Sequence, residues 1–560
     1  MPNTFTSALL FVMLQPPQGG LPVPIKLDPI AVAWADCQRL PEHQRPFVRY
    51  CWLNPNLETT LKDRQEMWQE LSMACWRVSR EQAIQVAAVS PVDKDFMVFR
   101  IDTFQLGWHE RREETLERLV DPYMTYPLAF QGKDGKEAKG DGVVDTEEKI
   151  PAGRDKDGAQ LYEREYNDKG QIVYKTRKVK ATAKQLKEAL APWWNPETTR
   201  LLAEATQSRM PMMRADWFFN QISTDADKLI GYSAFLGVKD EKDFDKLVGR
   251  FPDDLRKTFP KQYVEAGAKV DGKSPTHHPR LIEAEMAAGG PYWRTADNRL
   301  PQGRSNPFKT IKLKDGDFLF EGRESLGHLP NGLLAAGAFA GNLDFNVDVL
   351  KKKAEKDRVI QGTRADVAPD FLASDRFAPD TDRRIHVGMS CWRCHADGIH
   401  DVVGYFRTNT QPPNALQFTD PKEQKEFTRL YQSDLESQIN LSRQIYANAV
   451  MQATTMTGVD PMTGQQVVIV KGLNTNQESS LIANKWRKYE NAKVDLNYAA
   501  ADLMMTPGQA VTALKNIKTL TGQLDPVLDN FISGNLNLTI RQWEEYHGLA
   551  KLASMGIAPQ

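Results

Sequence analysis

Residues 391 to 395 read Cys391-Trp392-Arg393-Cys394-His395, and this spacing constrains the chain more than any other feature of its 560 residues. With five cysteines and nine histidines in all, a chance Cys-x-x-Cys-His is an event on the order of one in a thousand. Two thiols three positions apart reach the two vinyl groups on one edge of a haem and form thioethers. The histidine that follows then sits beneath the ring with its imidazole on the iron. The spacing therefore predicts one covalent haem c on Cys391 and Cys394, with His395 as proximal iron ligand.

Two other chemistries use cysteines at this spacing. A zinc site would recruit Cys391, Cys394 and a histidine, but zinc ribbons carry a second Cys/His pair and the sequence has none. His400 as a fourth ligand would crowd all four donors into ten residues, too close for a usual finger. A thioredoxin-like redox pair wants a strand before it and a helix after it, and residues 386–390 give a weak strand signal. The haem reading is the strongest of the three.

A chain of this length exceeds one hydrophobic core, so several domains are expected. Hydrophobic residues at 41%, charged residues at 26% and a net charge of -1 describe an ordinary globular chain. The charge balance removes the basic excess that nucleic acid would require. No apolar run reaches eighteen residues, so no transmembrane segment is predicted. The fold class reads as mainly α with some β (α+β), multidomain, with a haem-bearing loop region followed by a helical C-terminal part.

Composition divides the chain further. Residues 1–27 form a leader, 28–128 an α+β domain and 129–190 a Lys/Asp/Gly-rich insertion, with 191–385 a middle domain and 386–560 the haem motif and helical end. Within these, 64–71, 81–88, 198–207 and 216–236 have helical spacing, and 96–106 alternates as a strand. The insertion contains a hairpin turning at 167–170. Residues 481–505 contain no Pro or Gly and read as helix, and Pro507 opens the next one.

The leader holds an apolar run, 7–14, followed by a Pro/Gly-rich stretch, but no Lys or Arg precedes it and no A-x-A site follows. Cytochrome c maturation joins thiols to haem outside the cytoplasmic membrane, so the motif predicts a periplasmic or otherwise extracytoplasmic protein despite this leader. Cys37, Cys51 and Cys75 read as buried, inert small hydrophobes, with a disulfide between two of them open in an oxidising compartment.

The order of short segments resembles the multidomain c-type cytochrome proteins of planctomycetes. In those, an LPNGL-type segment lies several dozen residues before an NG-x-SC-x-x-CH motif. This chain has Leu329 to Leu333 (LPNGL), then Gly388-Met389-Ser390-Cys391. Arg214 to Phe218, Gly290 to Arg294, Trp486 to Glu490, Ala499 to Leu503 and Ile540 to Trp543 also fit, so the resemblance covers most of 28–550 outside the insertion. It departs after LPNGL, where small residues (AAGAFAGN) replace a strand-like sequence. The resemblance implies an exported haem-bearing protein whose biochemical role is poorly defined.

The distal face of the haem decides the chemistry, because a sixth ligand makes an electron carrier and an open site permits peroxide or gas chemistry. Met389 and His400 lie too near His395 to cross the ring. The distal candidates are His328, first because LPNGL reads as a fixed turn beside it, then His277, His278, Met451, Met456, Met462, Met504 and Met505. The sequence predicts an electron-transfer cytochrome serving an unidentified redox partner protein. A peroxidase-like haem enzyme or sensor is the alternative, and a non-haem protein with structural zinc at the CxxCH a third. Whether the chain is an enzyme is left open.

Overall fold

Asp28 begins the first helix by accepting from the Ile30 and Ala31 amides at 3.0 and 3.1 Å, and Pro29 supplies the fixed φ of a first helical position. The computed structural model describes residues 28–119, 196–251, 280–298, 320–341, 362–368, 384–401 and 435–550 with short gaps, strands within 128–182 and at 262–266, and a few isolated positions. The chain is a mixed α+β multidomain fold with sheets of four, three and six strands and several two-stranded ones among the described residues.

The central element is helix Leu61–Arg77. A reciprocal capping box between Thr60 and Asp63 starts it, and almost every side chain from Met67 to Arg77 is buried. A helix buried on all faces must be surrounded. It packs against Ala215–Ser223, Glu436–Thr454 and Thr475–Glu490, and against strand Val89–Pro91. Its polar residues find partners across these contacts. Ser72 donates to Ala453 O at 2.7 Å, and Gln69 donates to Thr454 O and Lys471 O. One hydrophobic core thus joins residues from Ile30 to Trp486, while a second gathers around Trp543 between Tyr489 and Ala550.

Strand Val48–Trp52 is buried along its whole length because it is internal to a four-stranded sheet, parallel to Met212–Arg214 and antiparallel to Val98–Asp102. The second large sheet is a six-stranded antiparallel meander: Gln262–Ala266, Arg280–Ala287, Gly290–Asp297, Gly322–His328, Leu334–Ala340 and Arg364–Ala365. LPNGL forms the tight turn between the fourth and fifth strands. Gly332 there has φ +87°, and Asn331 accepts from the Leu333 amide while donating to Trp76 O.

Several expectations change in the structure. Residues 81–88 form only a short 3-10 turn at Val86–Ala88, because Ser79 Oγ captures the Glu81 amide and the chain then enters a strand. The expected helix over 216–236 is two, Ala215–Ser223 and Tyr232–Leu236. Thr224 bridges to Gly388 between them, and Asp225 accepts from the Ser233 amide. The helix Thr475–Glu490 stops at Asn491. Lys493–Val494 pairs with Leu538–Thr539 before Asp495 caps Leu496–Asp502. The small residues after LPNGL are a strand after all. A helix begins at Pro507, and Arg164–Tyr166 pairs with Ile172–Tyr174 as the hairpin reading predicts.

All five cysteines are free thiols. Cys37, Cys51 and Cys75 are buried in the main core, where burial pushes each thiol pKa up.

Candidate functional site

The CxxCH segment is a helix of its own, Met389–Cys394, following the two-residue strand Ile385–His386. Gly388 sets its start, with φ +94° and a position where a Cβ would lie 2.3 Å from Ser223 O. No side chain fits there, which explains the glycine. Ser390 Oγ accepts from the His386 amide at 3.0 Å, and the turn closes with the His395 amide on Cys391 O at 2.8 Å.

The two residues between the cysteines are anchored in the interior. Trp392 lies edge-on to Tyr232 with ring centroids 5.1 Å apart, and the Arg77 guanidinium sits over its ring at 4.5 Å. Arg393 is ion-paired with Asp375 and lies over Trp486 at 4.9 Å, and burial lowers its pKa to about 10. With Trp392 and Arg393 held on that side, Cys391 and Cys394, one turn apart, share the other face.

Cys391 packs on the six-stranded sheet. Ala284, Trp293, Leu326 and Ala336 are successive cross-strand partners, and this row together with Ile282 and Ile399 forms the apolar floor beneath the thiol. Small residues in Leu334–Ala340 let the helix and Tyr232 approach, with the Ala336 amide donating to Tyr232 Oη at 3.0 Å. Burial pushes the Cys391 thiol well up, with the Glu324 charge adding to it. A thiol so held is a poor redox nucleophile.

Cys394 and His395 are half-buried at the rim, where His400 joins them. The donor atoms of Cys394, His395 and His400 all lie within 4.8 Å of one another. Cys394 Sγ is 3.6 Å from His400 Nε2, and the two imidazole rings are tilted with centroids 4.7 Å apart. Crowding in sequence therefore does not keep these three donors apart, because Gly398 (φ +96°) turns the chain back between them. His395 Nδ1 lies 3.3 Å from Gly398 O, and its Nε2 lies 3.8 Å from Glu324 Oε1.

His328 has a different setting. Its Nδ1 is 2.9 Å from Gly332 O and its Nε2 is 2.8 Å from Ser442 Oγ, and burial lowers its pKa to about 4. Met451 and Met462 are exposed, and Met456 and Met389 are buried in the main core. His277, His278, Met504 and Met505 lie outside the described residues.

No protein-family model, curated protein or solved structure matches the chain.

Sequence reasoning missed Glu324. Its signal was a carboxylate two residues before Leu326, on the strand face that carries the apolar floor.

Proposed function

We propose that the chain is a c-type cytochrome that carries one covalent haem on Cys391 and Cys394 and transfers electrons outside the cytoplasm. The observation that carries this reading is the setting of His395. A histidine whose Nδ1 donates to a backbone carbonyl keeps its Nε2 lone pair for a metal and is fixed in ring orientation. Here Gly398 O takes that role, three residues on in the same turn.

The rest of the donor set fits the group. Both thiols lie on one face of a single helical turn, and the residues between them are locked into the core. When bound, haem supplies one-electron chemistry whose potential is set by axial ligation, burial and hydrogen bonding. The protein's part would be to hold the iron ligand through Gly398 and to keep water from the Cys391 side with Trp293, Leu326 and Ile399, while Trp392, packed on Tyr232 and Arg77 on the opposite side, anchors the segment. A redox partner protein would meet the half-buried rim at Cys394 and His395, and covalent attachment implies an extracytoplasmic location.

The Cys394, His395 and His400 cluster favours one second reading, a single metal ion such as zinc bound directly by these three donors. The two readings separate on the thiols. With a c-type maturation system, Cys391→Ala should leave haem on one thioether at lower yield, and the double change with Cys394→Ala should abolish covalent haem. Bound zinc, by contrast, should survive Cys391→Ala and be lost in His400→Ala. Covalent haem persisting in the double cysteine variant would overturn the assignment of the attachment site.

A further inference from the structure

Cys394, His395 and His400 offer one sulfur and two imidazoles at the half-buried rim, their donor atoms all within 4.8 Å of one another. A thiol–imidazole hydrogen bond would account for Cys394 and His400, whose Sγ and Nε2 lie 3.6 Å apart, but not for a third donor and a carboxylate drawn to the same place. Each imidazole also turns its Nδ1 towards an oxygen of the same loop. His395 Nδ1 lies 3.3 Å from Gly398 O, and His400 Nδ1 lies 4.0 Å from Asp397 Oδ1. An acceptor behind Nδ1 orients the ring and leaves the Nε2 lone pair for a metal.

The spacings suit one ion in tetrahedral geometry. Zinc binds thiolate sulfur at about 2.3 Å, imidazole nitrogen at about 2.0–2.1 Å and carboxylate oxygen at about 2.0–2.2 Å. At the tetrahedral angle, sulfur and nitrogen on one ion stand about 3.5–3.6 Å apart, which is the separation of Cys394 Sγ from His400 Nε2. Nitrogen and oxygen stand about 3.3–3.5 Å apart at that angle and about 4.0–4.3 Å apart in line. Glu324 Oε1, on strand Gly322–His328, is 3.8 Å from His395 Nε2. That gap belongs to a bent arrangement about one ion, and a small rotation of the Glu324 side chain closes the remainder.

We propose that, before haem is attached, the chain binds one zinc-class divalent ion through Cys394 Sγ, His395 Nε2, His400 Nε2 and Glu324 Oε1. Thiolate, imidazole and carboxylate together suit a borderline-soft ion of this class. The ion site stands apart from the haem reading, and only its consequence rests on that reading. Cys394 as a thioether is no longer a thiolate, and His395 Nε2 has one lone pair, so ion and haem exclude each other.

The test uses the full chain produced without a c-type maturation system, reduced, stripped of metal and titrated with cobalt(II). The visible bands of cobalt report tetrahedral geometry, and its near-ultraviolet charge-transfer band reports a bound thiolate. One cobalt per chain should bind with both signatures, and zinc should displace it. Cys394→Ala should lose the thiolate band, His400→Ala should lose stoichiometric binding, and Glu324→Gln should weaken zinc about tenfold or more in competition with a chelator. Metal-free unfolding midpoints, followed by tryptophan fluorescence, should match the wild type in Glu324→Gln, which separates a lost ligand from a damaged fold. A wild type without the thiolate band would overturn the site, and wild-type zinc affinity in Glu324→Gln would overturn the fourth ligand. A haem-loaded chain that still shows the thiolate band with cobalt would overturn the exclusion. A chain that binds the ion yet takes no haem on maturation would leave the site standing and overturn the haem reading.

Discussion

Arg77→Met should be among the most destabilising single changes in the main core. Arg77 is buried at the end of helix Leu61–Arg77, its side chain 1% exposed, and it pairs with Glu478, whose side chain is 0% exposed. Its Nη2 also donates to Tyr446 Oη at 2.8 Å, and the guanidinium covers the Trp392 ring. One side chain thus ties three helices and the CxxCH segment together. Methionine would keep much of the stem volume but leave Glu478 without its cation, and the fully buried Glu70 near it with Lys485 as its remaining one. Removing one partner of a buried pair costs about 3–5 kcal/mol. Burial raises the pKa of both carboxyls, and Glu478 raises Glu70 further, while Arg77 pulls Glu478 down. Without Arg77 the folded state would hold protons that the unfolded state releases, so the cost should be larger at pH 7 than at pH 5. Urea unfolding followed by tryptophan fluorescence measures it at both values. The double variant Arg77→Met/Glu478→Met should recover part of the loss, since no unpaired charge is left at position 478. A single-variant cost below about 1 kcal/mol, or a double variant as damaged as the sum of the two singles, would refute the reasoning.

Three further outcomes follow from the same contacts. His328 is held near pKa 4 by burial, so the unfolded chain takes up a proton between about pH 6.5 and 4 that the folded state refuses. Its stabilisation is present above pH 6.5 and lost as pH falls, by about 3 kcal/mol; His328→Gln should flatten that part of the urea-midpoint profile, and an unchanged slope would count against it. Gly388→Ala places a Cβ against Ser223 O in a left-handed backbone, so it should lower the thermal midpoint and the covalent haem yield together, whereas wild-type values for both would show that the helix start tolerates a side chain. Cys37→Ala, Cys51→Ala and Cys75→Ala should each keep full haem content, measured per protein by haemochrome, because none of these thiols has a second cysteine at haem spacing.

Local chemistry was legible in the sequence, and long-range pairing was not. The strand within 96–106, the helix opening at Pro507, the turn at LPNGL and the position of the CxxCH follow from alternation, caps and spacing. Residues 334–340 did not read as strand because alanine and glycine carry no β signal. They are small because Tyr232 and the CxxCH helix press on them, a reason that lies a hundred residues upstream and fifty downstream. The breaks near 224 and 491 arise where Asp225 and Asp495 offer the backbone local partners and distant strands offer others. Glu324 beside His395 and Arg77 beside Glu478 join segments 71 and 401 residues apart. No periodicity links them.

The most direct test of the central claim is the pyridine haemochrome of the purified chain, produced with a c-type maturation system and extracted with acidified acetone, with metal analysis of the same sample. The account predicts one haem per chain that resists extraction, a spectrum of thioether-linked haem, and loss of both when Cys391 and Cys394 are changed to alanine. A haem-free protein holding one zinc per chain would contradict it.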